Sequence, residues 1–215
     1  MTTLLPGLEL LIPFVATVGL LELTPGPNMG YLAIVSGRWG RIAGLATVAG
    51  VTLGLLLYLT ASVAGVAEML VRTTWLYESI RWLGCAYLVW LAVETWRGDR
   101  TPPGAEPERR HPMRLFLRGF VANVLNPKNA LFYAVLLPTF IEPARGSVAI
   151  QALSLGLIHV AVATFVHGAI VLTASGLHPK VAAWDKGSGA IVVRHAFAVA
   201  LLAVAAWMVW ETRLP

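Results

Sequence analysis

The amino-acid sequence predicts an all-α polytopic membrane protein, with six transmembrane helices laid out as two inverted three-helix repeats, each opening on a broken first helix. Three observations carry this prediction. Hydrophobic residues make up 57% of the 215-residue chain and charged residues only 13%, with a mean hydropathy of +0.72. A soluble domain presents about 25% charged residues to water. The apolar residues also come in runs of spanning length, without the alternation of a half-buried strand or the stripe of an amphipathic helix. Finally, two of the runs are interrupted by proline and asparagine at matching places in the two halves. The length suits one domain, taken as a single transmembrane domain over 1–215.

The first run, about 8–23, is apolar but lacks the basic leading region and small-residue cleavage site of a signal peptide. It therefore reads as a retained first helix. It breaks at Thr24-Pro25-Gly26-Pro27-Asn28 and resumes over 29–35. The second run covers about 42–66 and the third about 79–96. A polar stretch rich in proline and arginine, about 97–114, separates repeat one (8–96) from repeat two (115–212). The fourth run, from 115 to 125, is interrupted at Asn126-Pro127-Lys128-Asn129 and continues to 140. The fifth covers about 148–172 and the sixth about 191–210. Three spans is an odd number, so two such repeats in series run in opposite senses across the bilayer.

Orientation follows from the basic residues. Arg38, Arg41, Arg97, Arg100, Arg109, Arg110, Arg114, Arg118, Lys180, Lys186 and Arg194 gather on one side, against Arg72, Arg81, Arg145 and Arg213 on the other. Cytoplasmic connections collect Lys and Arg. The expectation is a multi-pass protein of the bacterial cytoplasmic membrane, with both termini on the non-cytoplasmic side. The net charge of +5 is then a topology signal, and no nucleic-acid partner is expected. Tryptophans near the segment ends read as interfacial anchors. Cys85 is the sole cysteine, which excludes an internal disulfide and any thiolate cluster; it reads as small apolar packing.

The two breaks carry the chemistry. Proline removes a backbone donor and clashes with the preceding turn. Unsatisfied backbone survives at membrane depth only where it lines a cavity or is buried in protein. Thr24 before Pro25, and Asn126 before Pro127, match an N-cap followed by proline at the first helical position. Two half-helix N-termini, one per repeat, would present free N–H groups and positive dipole ends to a carboxylate. Lys128 costs roughly 2.5–3.5 kcal/mol at membrane depth, so it should face a cavity or a partner: a substrate carboxylate, the interface, or Glu22. Glu22, the acid of the first span that lies beside the break (Glu9 is at its start), could bind a substrate ammonium or carry a coupling proton. His159 and His167, eight residues apart in the fifth run, lie on roughly one helix face. They suit a proton relay or helix–helix hydrogen bonds, and their spacing is wrong for a pair of metal ligands. Asn28, Asn123, Asn126 and Asn129 are candidates for polar substrate contacts or for satisfying the broken backbone. Gly40-x-x-x-Gly44 and Gly50-x-x-x-Gly54 allow close helix packing within the monomer, or else in a homodimer.

These motifs resemble the LysE/RhtB amino-acid exporters. The resemblance is carried by Leu23-Thr24-Pro25-Gly26-Pro27-Asn28, by Gly40, Gly44, Gly50 and Gly54, and by Arg81-Trp82-Leu83-Gly84-Cys85-Ala86-Tyr87-Leu88. It continues in Gly119-Phe120, Asn126-Pro127-Lys128-Asn129 and Leu137-Pro138-Thr139-Phe140, covering about 8–142 by motif and the rest by plan. It implies proton-gradient-driven export of an amino acid or derivative, with both breaks on the transport path. Some members place a His or an acid in the second and fifth spans. Here Tyr58 takes the corresponding second-span position and the fifth span has no acid, which raises Glu22 as the coupling group.

The expected substrate-binding set is therefore Glu22, Thr24, Pro25, Gly26, Pro27, Asn28, Asn126, Pro127, Lys128 and Asn129, with Glu22, His159 and His167 as proton-coupling candidates. No catalytic residue, metal ion or cofactor is called for. The partners are a small amino-acid-like molecule and the lipid bilayer. A passive channel or metabolite pore is the alternative, and a membrane-embedded enzyme a weaker one.

Overall fold

The computed structural model describes residues 8–24, 26–65, 73–97, 111–184 and 189–211. Among them there is no strand. The helices in chain order are α1 (Leu8–Leu23), α2 (Pro27–Val63), α3 (Thr74–Arg97), α4 (Pro112–Val124), α5 (Pro127–Leu131), α6 (Val148–Ser175), α7 (His178–Trp184) and α8 (Gly189–Glu211). A π-helical turn, Phe132–Leu136, and a 3₁₀ turn, Leu137–Phe140, extend α5. Pro27–Val63, Val148–Ser175 and Ile191–Trp210 are each long and apolar enough to cross a membrane.

The first predicted break is real, but its register differs from the expectation. Thr24 does not cap the next helix: its N–H and its hydroxyl both donate to the Leu20 carbonyl, at 2.9 and 2.8 Å, so it finishes α1. The N-cap is Gly26, extended at φ −145°, ψ 168°, and Pro27 takes the first helical position. Both prolines could open a helix on sequence grounds. The second break behaves as predicted, with Asn126 as N-cap and its Oδ1 accepting from the Lys128 N–H at 3.0 Å. The matching pairs are thus Gly26-Pro27 and Asn126-Pro127, a register that neither Thr24-Pro25 nor the asparagines indicated.

The predicted gap between 35 and 42 narrows to a kink: two helical stretches of α2 meet at Gly40, which leaves helical geometry at a φ of 85° and a ψ of −174°, values accessible in practice only to glycine. Arg81 and Arg118, taken from sequence as connection charges, lie within α3 and α4. Both are buried and paired, Arg81 with Glu78 at 2.7 Å and Arg118 with Glu94 at 2.8 Å. A long cation inside a helix is stable there because a carboxylate one turn away or on the neighbouring helix meets it.

α2 is the central element, packed on α4 and α6 and touching α8, while α3 packs on α8 and α1 on α6. In lipid the helices are held by close packing and interhelical hydrogen bonds, and glycine supplies the closeness. A Cβ on Gly50 would collide with the Phe116 carbonyl, and one on Gly119 with the Thr47 carbonyl, so α2 and α4 meet backbone to backbone. Gly54 lies against Asn123 and Gly44 against Ser36 and Val171. The small-residue spacings are therefore used within the chain. One core cluster joins Phe14 and Val18 of α1 to Tyr58, Tyr133, Leu137 and Leu155; another joins Tyr31 and Val35 to Leu91, Leu115 and Met208. Cys85 packs against the second. The outside is as apolar as the inside, with Leu20, Ile42 and Phe165 at least 70% exposed, a surface suited to acyl chains rather than water.

Candidate functional site

The two breaks come together. α1 stops at the first, leaving the carbonyls of its last turn without helical donors. Lys128, at the start of α5 in the other half, fills that need: its ammonium donates to the Leu21 carbonyl and to the Thr24 carbonyl, the latter at 3.1 Å. A cation on a helix C-terminus is favoured by the dipole as well as by the hydrogen bonds, by about 0.3–1 kcal/mol at exposed ends. A Cβ on Gly26 would sit 3.7 Å from the Lys128 Nζ, so the extended link between α1 and α2 runs directly past the ammonium.

One turn before the break, Glu22 is buried with 6% exposure. Its Oε1 lies 3.1 Å from His159 Nε2 and its Oε2 lies 3.5 Å from His167 Nε2. Both histidines are buried. Eight residues of α-helix cover about 12 Å, and the carboxylate of α1 reaches between the two rings. His159 is held on its other side as well, its Nδ1 lying 3.1 Å from the Tyr133 hydroxyl and its ring centroid 3.8 Å from that of Phe132. An ionised carboxylate only accepts. With Glu22 ionised, His159 Nε2 carries the proton toward it and Nδ1 accepts from Tyr133. Tyr133 in turn stacks on Tyr58, ring centroids 6.0 Å apart and nearly parallel, and the Tyr58 hydroxyl donates to the Val124 carbonyl at 2.7 Å.

A small cavity sits where these groups meet, lined by Glu22, Gly26, Asn28, Met29, Asn126, Lys128, Asn129 and His167. Its volume is about 10 Å³, room for roughly one water. Asn28 Oδ1 and His167 Nδ1 are buried there without a hydrogen-bond partner, and both side-chain atoms of buried Asn123 are in the same state. Each such group costs about 1–3 kcal/mol, so the site holds polar capacity that the fold itself leaves unused.

Of the sequence-predicted residues, the structure assembles Glu22, Gly26, Asn28, Asn126, Lys128 and Asn129 on one cavity, with His167 on its wall and His159 joined through Glu22. Thr24 touches it through Lys128, and Pro27 and Pro127 are buried at the two helix starts. Pro25 lies outside the described residues. Sequence reasoning missed Tyr133, whose signal was a phenol inside the run between Asn126-Pro127 and Pro138. Among the described residues no group of three or more His, Cys, Asp or Glu is arranged to hold a metal ion.

Comparison with known proteins identifies the family. The family model described as LysE type translocator matches residues 20–211. The chain is 33% identical over 178 residues to the homoserine/homoserine lactone efflux protein of Salmonella typhimurium, covering 81% of this chain and 82% of that one. It is 32% identical to the leucine efflux protein of Klebsiella pneumoniae, over 56% of this chain and 58% of the relative, and 24% identical to the threonine efflux protein of Escherichia coli, over 59% and 64%. No solved structure gives a significant match. The chain belongs to the LysE-type translocator family, a family of membrane transporters and not of enzymes.

Proposed function

We propose that this LysE-type translocator exports an amino acid or amino-acid derivative across the bacterial cytoplasmic membrane, driven by the proton gradient. The observation that carries this reading is the Glu22 carboxylate, held between His159 and His167 where the two broken helices meet. Homoserine, leucine and threonine, named for the relatives above, each carry an α-ammonium and an α-carboxylate. The cavity offers one group for each: Glu22 for the ammonium, Lys128 for the carboxylate. Thr24, Gly26, Pro27 and Asn28 supply one side of the binding site, and Asn126, Pro127 and Asn129 the other; Pro25 stands as a candidate on sequence grounds alone. Glu22 can hold an ammonium or a proton, and the two exclude each other on one carboxylate. That exclusion is the coupling: a proton arriving through His159 or His167 displaces the substrate, and the substrate displaces the proton.

The finer architecture belongs to this proposal as well: one transmembrane domain over 1–215, six spans, and two inverted repeats with the termini outside the cytoplasm. It is supported by the pairing of elements. The second helices of the halves pack on each other (α2 on α6), as do the third (α3 on α8). Each second helix also meets the other half's first (α2 on α4, α6 on α1). Exchanging the halves leaves these pairs unchanged, while the α2–α8 contact has no equal between α6 and α3. A site with room for about one water fits a carrier that must change shape to pass its cargo better than it fits an open pore. The test is efflux from proteoliposomes under an imposed pH gradient, wild type beside Glu22→Gln. Wild-type efflux should follow the gradient at least tenfold, and the variant should lose that dependence. Wild-type flux indifferent to the gradient would point to a passive pore.

A further inference from the structure

A second space adjoins the small cavity. It is a groove of about 440 Å³ between α1 and the π-helical turn, lined by Leu21, Thr24, Lys128, Leu131, Phe132, Val135 and Leu136. Small-molecule sites occupy roughly 300–1,000 Å³, with mostly apolar walls and a few fixed polar groups. The walls here are leucine, phenylalanine and valine. The polar members are Thr24 and Lys128, which meet each other through the 3.1 Å bond from Nζ to the Thr24 carbonyl, so the polar groups share one end. Lys128 also lines the small cavity and is thus the partition between the two spaces. Phe132, on the groove wall, packs its ring on His159. The π-helical turn that builds this wall is a distortion found mainly at functional sites.

We propose that the groove receives the substrate's side chain, and that the preferred cargo is an amino acid with an apolar side chain of about leucine size or larger. The inference rests on the reading that the Glu22–Lys128 cavity takes the charged head group. With the carboxylate on Lys128, the substrate's Cα stands at the partition, and its side chain extends along Leu21, Leu131, Val135 and Leu136. A leucine or phenylalanine side chain buries apolar surface there. The hydroxyl of homoserine or threonine would lose its hydration among groups that cannot hydrogen-bond to it. Each methylene in an apolar pocket changes discrimination by about tenfold or more.

The test uses the full-length protein in proteoliposomes loaded in turn with leucine, phenylalanine, alanine, homoserine, threonine and lysine. Leucine efflux should exceed that of homoserine and threonine at least tenfold in kcat/KM. Val135→Trp, at a half-exposed groove position, should lower the leucine-to-alanine ratio at least tenfold, and Val135→Ala should move preference toward phenylalanine. Because the readout is a ratio within one variant, a general loss of folded protein does not imitate it. Homoserine or threonine exported as well as leucine, or a leucine-to-alanine ratio indifferent to Val135→Trp, overturns the inference. It then makes the groove a contact for bilayer acyl chains, while leaving amino-acid export standing. Export of none of the six overturns the head-group reading and this inference together.

Discussion

Lys128 makes two kinds of contact that its position in the sequence does not reveal. Its burdensome charge at membrane depth was legible, because insertion is costly for any lysine. Its partners were not, since the Leu21 and Thr24 carbonyls are backbone groups more than a hundred residues away. Lys128→Ala should leave the protein inserted and reduce efflux at least tenfold, measured against the amount of protein in the membrane; normal export would remove Lys128 from the site. The histidines teach a similar lesson. Spacing on one helix face predicted that His159 and His167 act together, but the group that joins them is on α1. Tyr133 was invisible as a site residue because its role depends on the π-helical turn. It holds His159 Nδ1 while Glu22 takes Nε2, so it is a positioning residue. Tyr133→Phe removes that hydrogen bond and leaves the ring held on the Glu22 side alone. The groups facing Glu22 in the variant are still His159, His167 and Lys128, so binding should persist while the pH profile of efflux moves by about a unit, read as initial rates across pH 5–8. An unmoved profile would reduce Tyr133 to core packing.

At the scale of elements, both breaks were readable because a proline inside an apolar run interrupts the helix wherever it falls, and the freed backbone must then be satisfied within the protein. The register of the first was not, since Pro25 and Pro27 each satisfy the rule for a helix start. The choice went to Pro27 once Thr24 closed α1 on Leu20. The Gly40 kink was legible in place but not in extent. The end of one run at 35 and the start of the next at 42 marked an interruption, and the structure makes it with a single non-helical residue at positive φ. Glycines foretold close packing correctly but not the partner. Gly50→Ala puts a methyl group onto the Phe116 carbonyl, and main chain cannot move aside as a flexible side chain can. Overpacking of this kind costs about 1–3 kcal/mol. The expected outcome is a Tm in detergent lowered by several degrees, with Gly168→Ala, where a Cβ meets nothing within 4 Å, unchanged.

For the whole molecule, composition and run length sufficed to announce an all-helical membrane protein, because bilayer thickness dictates both. The relation of the halves could not be read from residue matches, since each half places different side chains at its break. The support for the proposed relation comes instead from which helices pack together. If the repeats are inverted and the arginine bias sets orientation, reporters fused at the two ends should both be active outside the cytoplasm, and a reporter fused within 98–110 should be active only inside. Opposite activities at the two termini would refute an even number of spans. The bond from Lys128 to the end of α1 has a consequence for biogenesis. The ribosome makes the first half, with the α1 carbonyls and the Glu22 carboxylate in place, before either Lys128 or the histidines exist. At about 5–20 residues per second, those acceptors wait some seconds for their partners from the second half. The first three helices consequently carry unmet acceptors at the moment of insertion, and only the arrival of the second half supplies their partners.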